Sequence, residues 1–393
     1  MKKVLFVAHF MDVEKNSNNR FNYIIEALLK KDIDLEVITS SFSHREKTYR
    51  KHENKSYKLT LIDEPRYKKN VSLRRFYSHY IMAIRLKRYL KKIKDIPDII
   101  YCAVPSLDVA KVMAKYAKKN KVKFIIDIQD LWPEAFKMIF NIPIISDMIF
   151  LPMNRKANYV YKNADSIIAV SETYLDRAKK VNRKSDTNKV IFLGTDKEKF
   201  DSYKNEVELI KSDNIIKIVY IGTLGYSYNL KIIIDAIKIL NDKGINNIKF
   251  YILGDGPLRK EFEEYANEKK VDCIFTGMIQ YNKMVGQLCD CDIAVNPIVK
   301  RSAGSIINKV GDYAMAGLPV INTQENKEYR DLIEQYKIGY NCDNDNIVEI
   351  SEKIEKLIEN KKLRMQMGNN NRKLAEEKFD RKETYKNIIE MFK

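Results

Sequence analysis

The sequence predicts an α/β protein of two doubly wound domains, and three observations carry that reading. At 393 residues the chain is longer than one core ordinarily fills, so two domains of common size are expected. It opens on an apolar run, Val4–Ala8, then a polar loop over 12–19, an amphipathic helix and a second apolar run, Leu35–Thr39. That is the first β–α–β unit of a parallel sheet. The same order restarts at Ile215–Ile221, where a strand runs into Gly222-Thr-Leu-Gly225 and a helix beginning near Leu230.

Each element follows from local pattern. The first helix sets Phe21, Ile24, Ile25, Leu28 and Leu29 on one face. Over Val71–Ile93, Arg74, Arg75, Arg85 and Lys87 interleave with Phe76, Tyr77, Tyr80 and Ile84. This is the pattern of a helix lying in an anionic membrane interface; it equally describes a core helix with a lysine-rich outer face. Asp98–Val104 and Lys123–Ile128 read as strands around the helix Leu107–Lys119. The second strand ends on Asp127-Ile-Gln-Asp-Leu-Trp-Pro-Glu134, and open α/β sheets bind ligands at the carboxyl ends of their strands. Gln129, Asp130, Trp132 and Glu134 are therefore site candidates, although Asp130 and Glu134 would also suit a plain helix start. Residues 138–153 are apolar but broken by Pro143, Asp147 and Pro152, too interrupted to span a bilayer. Ala164–Ser171 is a strand, and Phe250–Leu253 is another that turns at Gly254-Asp-Gly-Pro257.

The stretch Lys300 to Asn322 concentrates the chemistry. Ala303, Gly304 and Ser305 are small, so their backbone N–H groups can approach an anion at a helix start. Ile306, Ile307, Val310 and Ala314 repeat at helical spacing, and Gly317 and Pro319 end the helix. Lys309 and Asp312 then lie one turn apart. A cation and a carboxylate beside such a start suit a phosphate joined to a ribose.

The net charge of +18 sits in the first half: residues 1–185 hold 38 basic and 20 acidic residues, leaving 33 of each for the rest. An anionic partner is expected, a membrane surface rather than nucleic acid, for which no binding module is visible. The five cysteines lack CxxC spacing, which predicts a reduced, cytosolic chain without disulfides. Asp290-Cys-Asp292 reads as structural, and no His or carboxylate cluster has ligand spacing, so no metal is expected. The start, Met1-Lys-Lys and a short strand, is too brief for a secretory leader.

The run Lys309-Val-Gly-Asp-Tyr-Ala-Met-Ala-Gly-Leu-Pro-Val-Ile321 resembles the E-A-M-A-x-G-x-P-V-I signature of retaining glycosyltransferases of family 4, in a capsule and exopolysaccharide branch. Asp312 falls at the second glutamate of that family's E-x7-E pair, while the first is replaced by Gly304. Residues 129–134 resemble its H-D-L-W-P-E motif, with Gln129 in place of the histidine. Phe192-Leu-Gly-Thr-Asp196 resembles its interdomain turn, and residues 254–257 its G-D-G-P turn. The resemblance covers nearly the whole chain and is strongest over 215–323. It implies the GT-B fold, two Rossmann-like domains facing a central cleft. The acceptor domain would be 1–190, the nucleotide-sugar domain 191–372, and 373–393 a helix crossing back. It implies a UDP-linked sugar donor held, without metal or other cofactor, by Gly222, Thr223, Leu224, Gly225, Gly254, Gly277, Met278, Ile279, Ser302, Ala303, Gly304, Ser305, Lys309 and Asp312. Other members carry Arg and Lys over 222–228; with Thr223 and Tyr228 there, Lys309 must supply the positive charge. Asp130, Gln129 and Lys309 would act in transfer, and Asn19, Arg20, Trp132 and Glu134 at the acceptor. The acceptor implied is a polyprenyl-diphosphate-linked saccharide at the inner face of the cell membrane. A sugar-nucleotide epimerase and a two-lobed sugar-binding protein are the alternatives.

Overall fold

The computed structural model describes every residue except 12–18, 51–53, 70–71, 140–144, 206–213, 301 and 303, with 137–139 and 145 described by backbone alone. It divides into two units, Met1–Ile191 with Tyr385–Lys393, and Phe192–Thr384.

The first unit is built on β1 (Lys2–Val7), β2 (Ile33–Ser40), β3 (Lys58–Ile62), β4 (Ile99–Val104), β5 (Lys123–Ile128), β6 (Ser166–Ala169) and β7 (Thr187–Val190). They form one parallel sheet in the order β3-β2-β1-β4-β5-β6-β7, with Val4 of β1 beside Leu35 and Ile99. Every residue of β4 is buried, as expected of a parallel strand covered on both faces. The edge strands β3 and β7 escape the sequence pattern because their residues, KLTLI and TNKV, are partly exposed and carry lysine.

The second unit holds β8 (Ile216–Ile221), β9 (Ile248–Leu253), β10 (Cys273–Phe275), β11 (Ile293–Asn296), β12 (Val320–Asn322) and β13 (Gly339–Asn341), parallel in the order β10-β9-β8-β11-β12-β13. Alternate residues of β8 enter separate cores. Ile218 and Tyr220 pack with Ile233 and Ile237, whereas Val219 and Ile221 pack with Val310, Tyr313 and Ala314. Both faces are thus covered, which makes each sheet a Rossmann-like layer.

Two expected boundaries move. Leu374, Ala375 and Phe379 are buried in the second unit, so the return to the first begins at Tyr385 rather than near 373. The helix expected over residues 71–93 runs Leu73–Leu90, begun by Ser72, whose hydroxyl accepts from the Arg75 N–H. It buries Ser78, His79, Met82, Ala83, Leu86 and Leu90, and leaves Leu73, Tyr77 and Tyr80 exposed.

Candidate functional site

In the second unit the loops after β8, β9 and β10 and the helix Lys309–Ala316 converge at the carboxyl edge of the sheet. Gly222 has φ +126°, a conformation that side chains disfavour. A Cβ built on it would lie 3.3 Å from the Lys309 ammonium nitrogen. Gly254 and Gly256 hold the loop from behind: a Cβ on Gly254 would meet the Gly222 carbonyl oxygen at 1.8 Å, and one on Gly256 the Leu224 oxygen at 2.3 Å. Their role is close backbone packing. Gly277, at φ +71°, lies against Arg259, while Met278 is exposed and Ile279 half-buried.

Lys309 is the unusual group. It is 8% exposed, and Nζ has no hydrogen-bond partner among the described residues. Nζ stands over the ring of Tyr220 at 3.7 Å and of Tyr228 at 4.0 Å. Burial pushes its pKa well below the usual lysine value. A buried amine without a partner is costly unless an anion arrives to pair with it. Asp312, one turn on, accepts from the Thr195 hydroxyl at 3.1 Å and the Tyr281 hydroxyl at 2.7 Å. These partners aim a carboxylate beside the cation.

The small-residue loop is placed differently from expectation. The helix starts at Lys309, so Gly304 and Ser305 are not at its first turn, and Ile306 and Ile307 precede it. The carbonyl oxygen of Ser305 accepts from Gln324 at 2.7 Å and that of Gly304 from Asn326 at 3.2 Å, which ties this loop to the segment after β12. Ser302 is half-buried, and Ala303 lies outside the described residues. Asp290 pairs with Lys217 and Asp292 accepts from the Lys217 N–H, at the opposite end of the strands from Gly222.

In the first unit Arg20 leaves its expected acceptor role for a structural one. It is 4% exposed, forms a bidentate pair with Asp127 at 2.8 and 3.1 Å, and donates to the Tyr385 hydroxyl and the Ile191 carbonyl. Asn19 caps the helix Arg20–Leu29, accepting from the Phe21 N–H. Gln129 donates to Asp127 at 3.1 Å. Asp130 accepts from the Trp132 indole and the Leu131 N–H, and burial raises its pKa. Glu134 pairs with Arg177, and Trp132 is buried, stacked on His79. Gln129 and Asp130 keep half-exposed surfaces at the carboxyl edge.

Sequence spacing also missed a cluster. His9, His44 and Glu64 follow β1, β2 and β3, which are neighbours in the sheet, and their ligand-type atoms lie within 4.8 Å of one another. The strand order brings them together; their positions along the chain do not hint at it.

The chain matches two family models in tandem. Residues 18–199 match Glycosyltransferase Family 4, and residues 201–374 match Glycosyl transferases group 1. It is 26% identical over 239 residues to an uncharacterized glycosyltransferase of Methanocaldococcus jannaschii, covering 58% of this chain and 61% of that protein, under two thirds of its length. It is 23% identical to the capsular polysaccharide biosynthesis glycosyltransferase CapM of Staphylococcus aureus, over 94% of this chain and 92% of that one. Among solved structures, sucrose-phosphate synthase of Thermosynechococcus elongatus is similar over 100% of this chain and 98% of its own, with TM-score 0.77 and 12% identity. Anabaena HepE in complex with UDP is similar over 100% and 99%, with TM-score 0.69 and 14% identity.

Proposed function

Because the chain is a glycosyltransferase of GT-B fold, with its family 4 and group 1 domains in tandem, we propose that it moves a sugar from a UDP-linked donor to a lipid-linked saccharide, with retention of configuration, in surface polysaccharide synthesis. The buried, unpartnered Lys309 ammonium beside Gly222 carries this reading. Departure of a nucleoside diphosphate builds negative charge on the leaving oxygen, and a fixed cation in a dry site stabilises that charge more than it stabilises the bound donor. Asp312 serves the ribose hydroxyls, and the diphosphate lies along Gly222–Gly225. No metal takes part in the transfer. The UDP held by HepE and the capsular role of CapM support the donor and pathway chosen.

The first unit docks on an anionic membrane surface. Exposed Leu73, Tyr77 and Tyr80 on one helix, and Met148 and Ile149 on the helix Ile145–Asn163, support this; Phe136 packs on both Phe76 and Phe150 and links the two helices. Each basic residue near such a surface adds on the order of 1 kcal/mol. No helix among the described residues is long and apolar enough to cross a membrane.

Two measurements test the proposal. Calorimetry with UDP and with inorganic pyrophosphate, on wild type and Asp312→Asn, should show UDP affinity falling about tenfold or more while pyrophosphate is unaffected. Equal losses for both ligands would remove the ribose role. In flotation, wild type should rise with phosphatidylglycerol vesicles and Leu73→Asp/Met148→Asp should not; a doubly substituted chain that still floats sinks the docking surface.

A further inference from the structure

We propose that His9, His44 and Glu64 form a binding site in the first unit for a divalent transition-metal ion of the zinc class. The donor set is two imidazole nitrogens and one carboxylate oxygen, the combination suited to zinc and its neighbours and not to calcium or magnesium. Nε2 of His9 and Nε2 of His44 each stand 2.9 Å from Oε1 of Glu64. Ligands around a tetrahedral zinc are roughly 3.3 Å apart, given metal–ligand bonds of about 2.0–2.2 Å, so a spread of a few tenths of an ångström would admit the ion.

The surroundings are those of a built site. Nδ1 of His9 meets the Ser106 hydroxyl at 2.6 Å, Nδ1 of His44 the Tyr67 hydroxyl at 2.5 Å, and the second Glu64 oxygen accepts from Ser78 at 2.6 Å. Each candidate ligand thus has its far atom fixed by a hydroxyl, which orients the near atom inward, as outer-shell partners do in metal sites. His44 Nε2 has no hydrogen-bond partner among the described residues although it lies close to Glu64, so that short approach is not explained as an ordinary hydrogen bond. His79, 3% exposed, also leaves Nε2 without a partner, and its ring centre is 4.8 Å from that of His9.

Glu64 is 1% exposed and lies against both imidazoles, with the Arg75 guanidinium also acting on it. The ligands come from the ends of three adjacent strands, so the ion would tie β1, β2 and β3 together at their carboxyl edge.

The test uses the full chain without a histidine tag. After dialysis against a chelator, Zn²⁺ is titrated in competition with a chromophoric chelator, and Co²⁺ binding is followed by its ligand-field spectrum. We expect about one ion per chain, a four-coordinate cobalt spectrum, and a melting temperature that falls on chelation and recovers on adding zinc. Glu64→Gln and His44→Gln should lose stoichiometric binding, and Tyr67→Phe should weaken it by about 10- to 100-fold. Far-UV circular dichroism and a cooperative urea transition of the first unit report whether each variant has folded. Wild type that binds neither ion, or Glu64→Gln that is folded and still binds one ion as tightly, overturns the site.

Discussion

Replacing Lys309 with Met separates a donor-site cation from a merely packed side chain, because the two roles predict opposite signs. The side chain is 8% exposed and Nζ lacks a hydrogen-bond partner. Burying such a group costs roughly 1–3 kcal/mol on mutational scales. Contact with the ring faces of Tyr220 and Tyr228 returns about 0.5–2 kcal/mol. Methionine fills nearly the same volume without that penalty, so the free protein should lose no more than about 1 kcal/mol or gain up to about 2 kcal/mol. For a unit of this size that is a rise in melting temperature of up to about 8 °C. Binding should move the other way. Losing one charge-assisted hydrogen bond to phosphate, worth about 1.5–3 kcal/mol, weakens UDP about 10- to 150-fold. Scanning fluorimetry and titration calorimetry on the same two proteins measure both. A variant that melts several degrees lower yet binds UDP as tightly would show that Lys309 serves packing, and the reasoning would fail.

The remaining predictions concern protonation and packing. Burial holds the free Lys309 low, and a bound diphosphate raises its pKa again, so binding takes up a proton. UDP affinity should therefore rise as pH falls from about 9 to 7, above the range where phosphate itself titrates near pKa 6, and Lys309→Met should flatten the slope; equal slopes count against the assignment. Gly254→Ala drives a Cβ into the Gly222 carbonyl and should destabilise by about 3 kcal/mol, read as a lower urea midpoint; an unchanged midpoint would show that the loop is not held from behind. Arg20→Ala strands the fully buried Asp127 and should cost about 3–5 kcal/mol in the same assay, whereas a loss under 1 kcal/mol would mean that the pair is not anchoring the first unit.

How much of this was legible depends on how locally each feature is encoded. The strands Ile99–Val104 and Ile216–Ile221 announce themselves because a doubly covered parallel strand is an unbroken apolar run. Lys309 and Asp312 were readable because one helical turn joins them. Gly304 and Ser305 misled because small residues before an apolar repeat imitate a helix start; the side chains of Gln324 and Asn326, some twenty residues away, hold them as a loop. Arg20 looked like a ligand-seeking cation, since nothing near it in sequence reveals Asp127 or Tyr385. The grouping of His9, His44 and Glu64 could not be read at all. It exists only because the sheet sets β3, β2 and β1 side by side.

The return of residues 385–393 to the first unit carries a consequence for biosynthesis. Tyr385, Ile388, Met391 and Phe392 fill the same core as Val4, Phe6 and Tyr101, strands made well before them in translation. The amino-terminal half must therefore wait, with an apolar gap open, while the ribosome makes nearly two hundred further residues that fold among themselves. A nonsense codon just after Thr384 would spare the later-made half and cripple the earlier one.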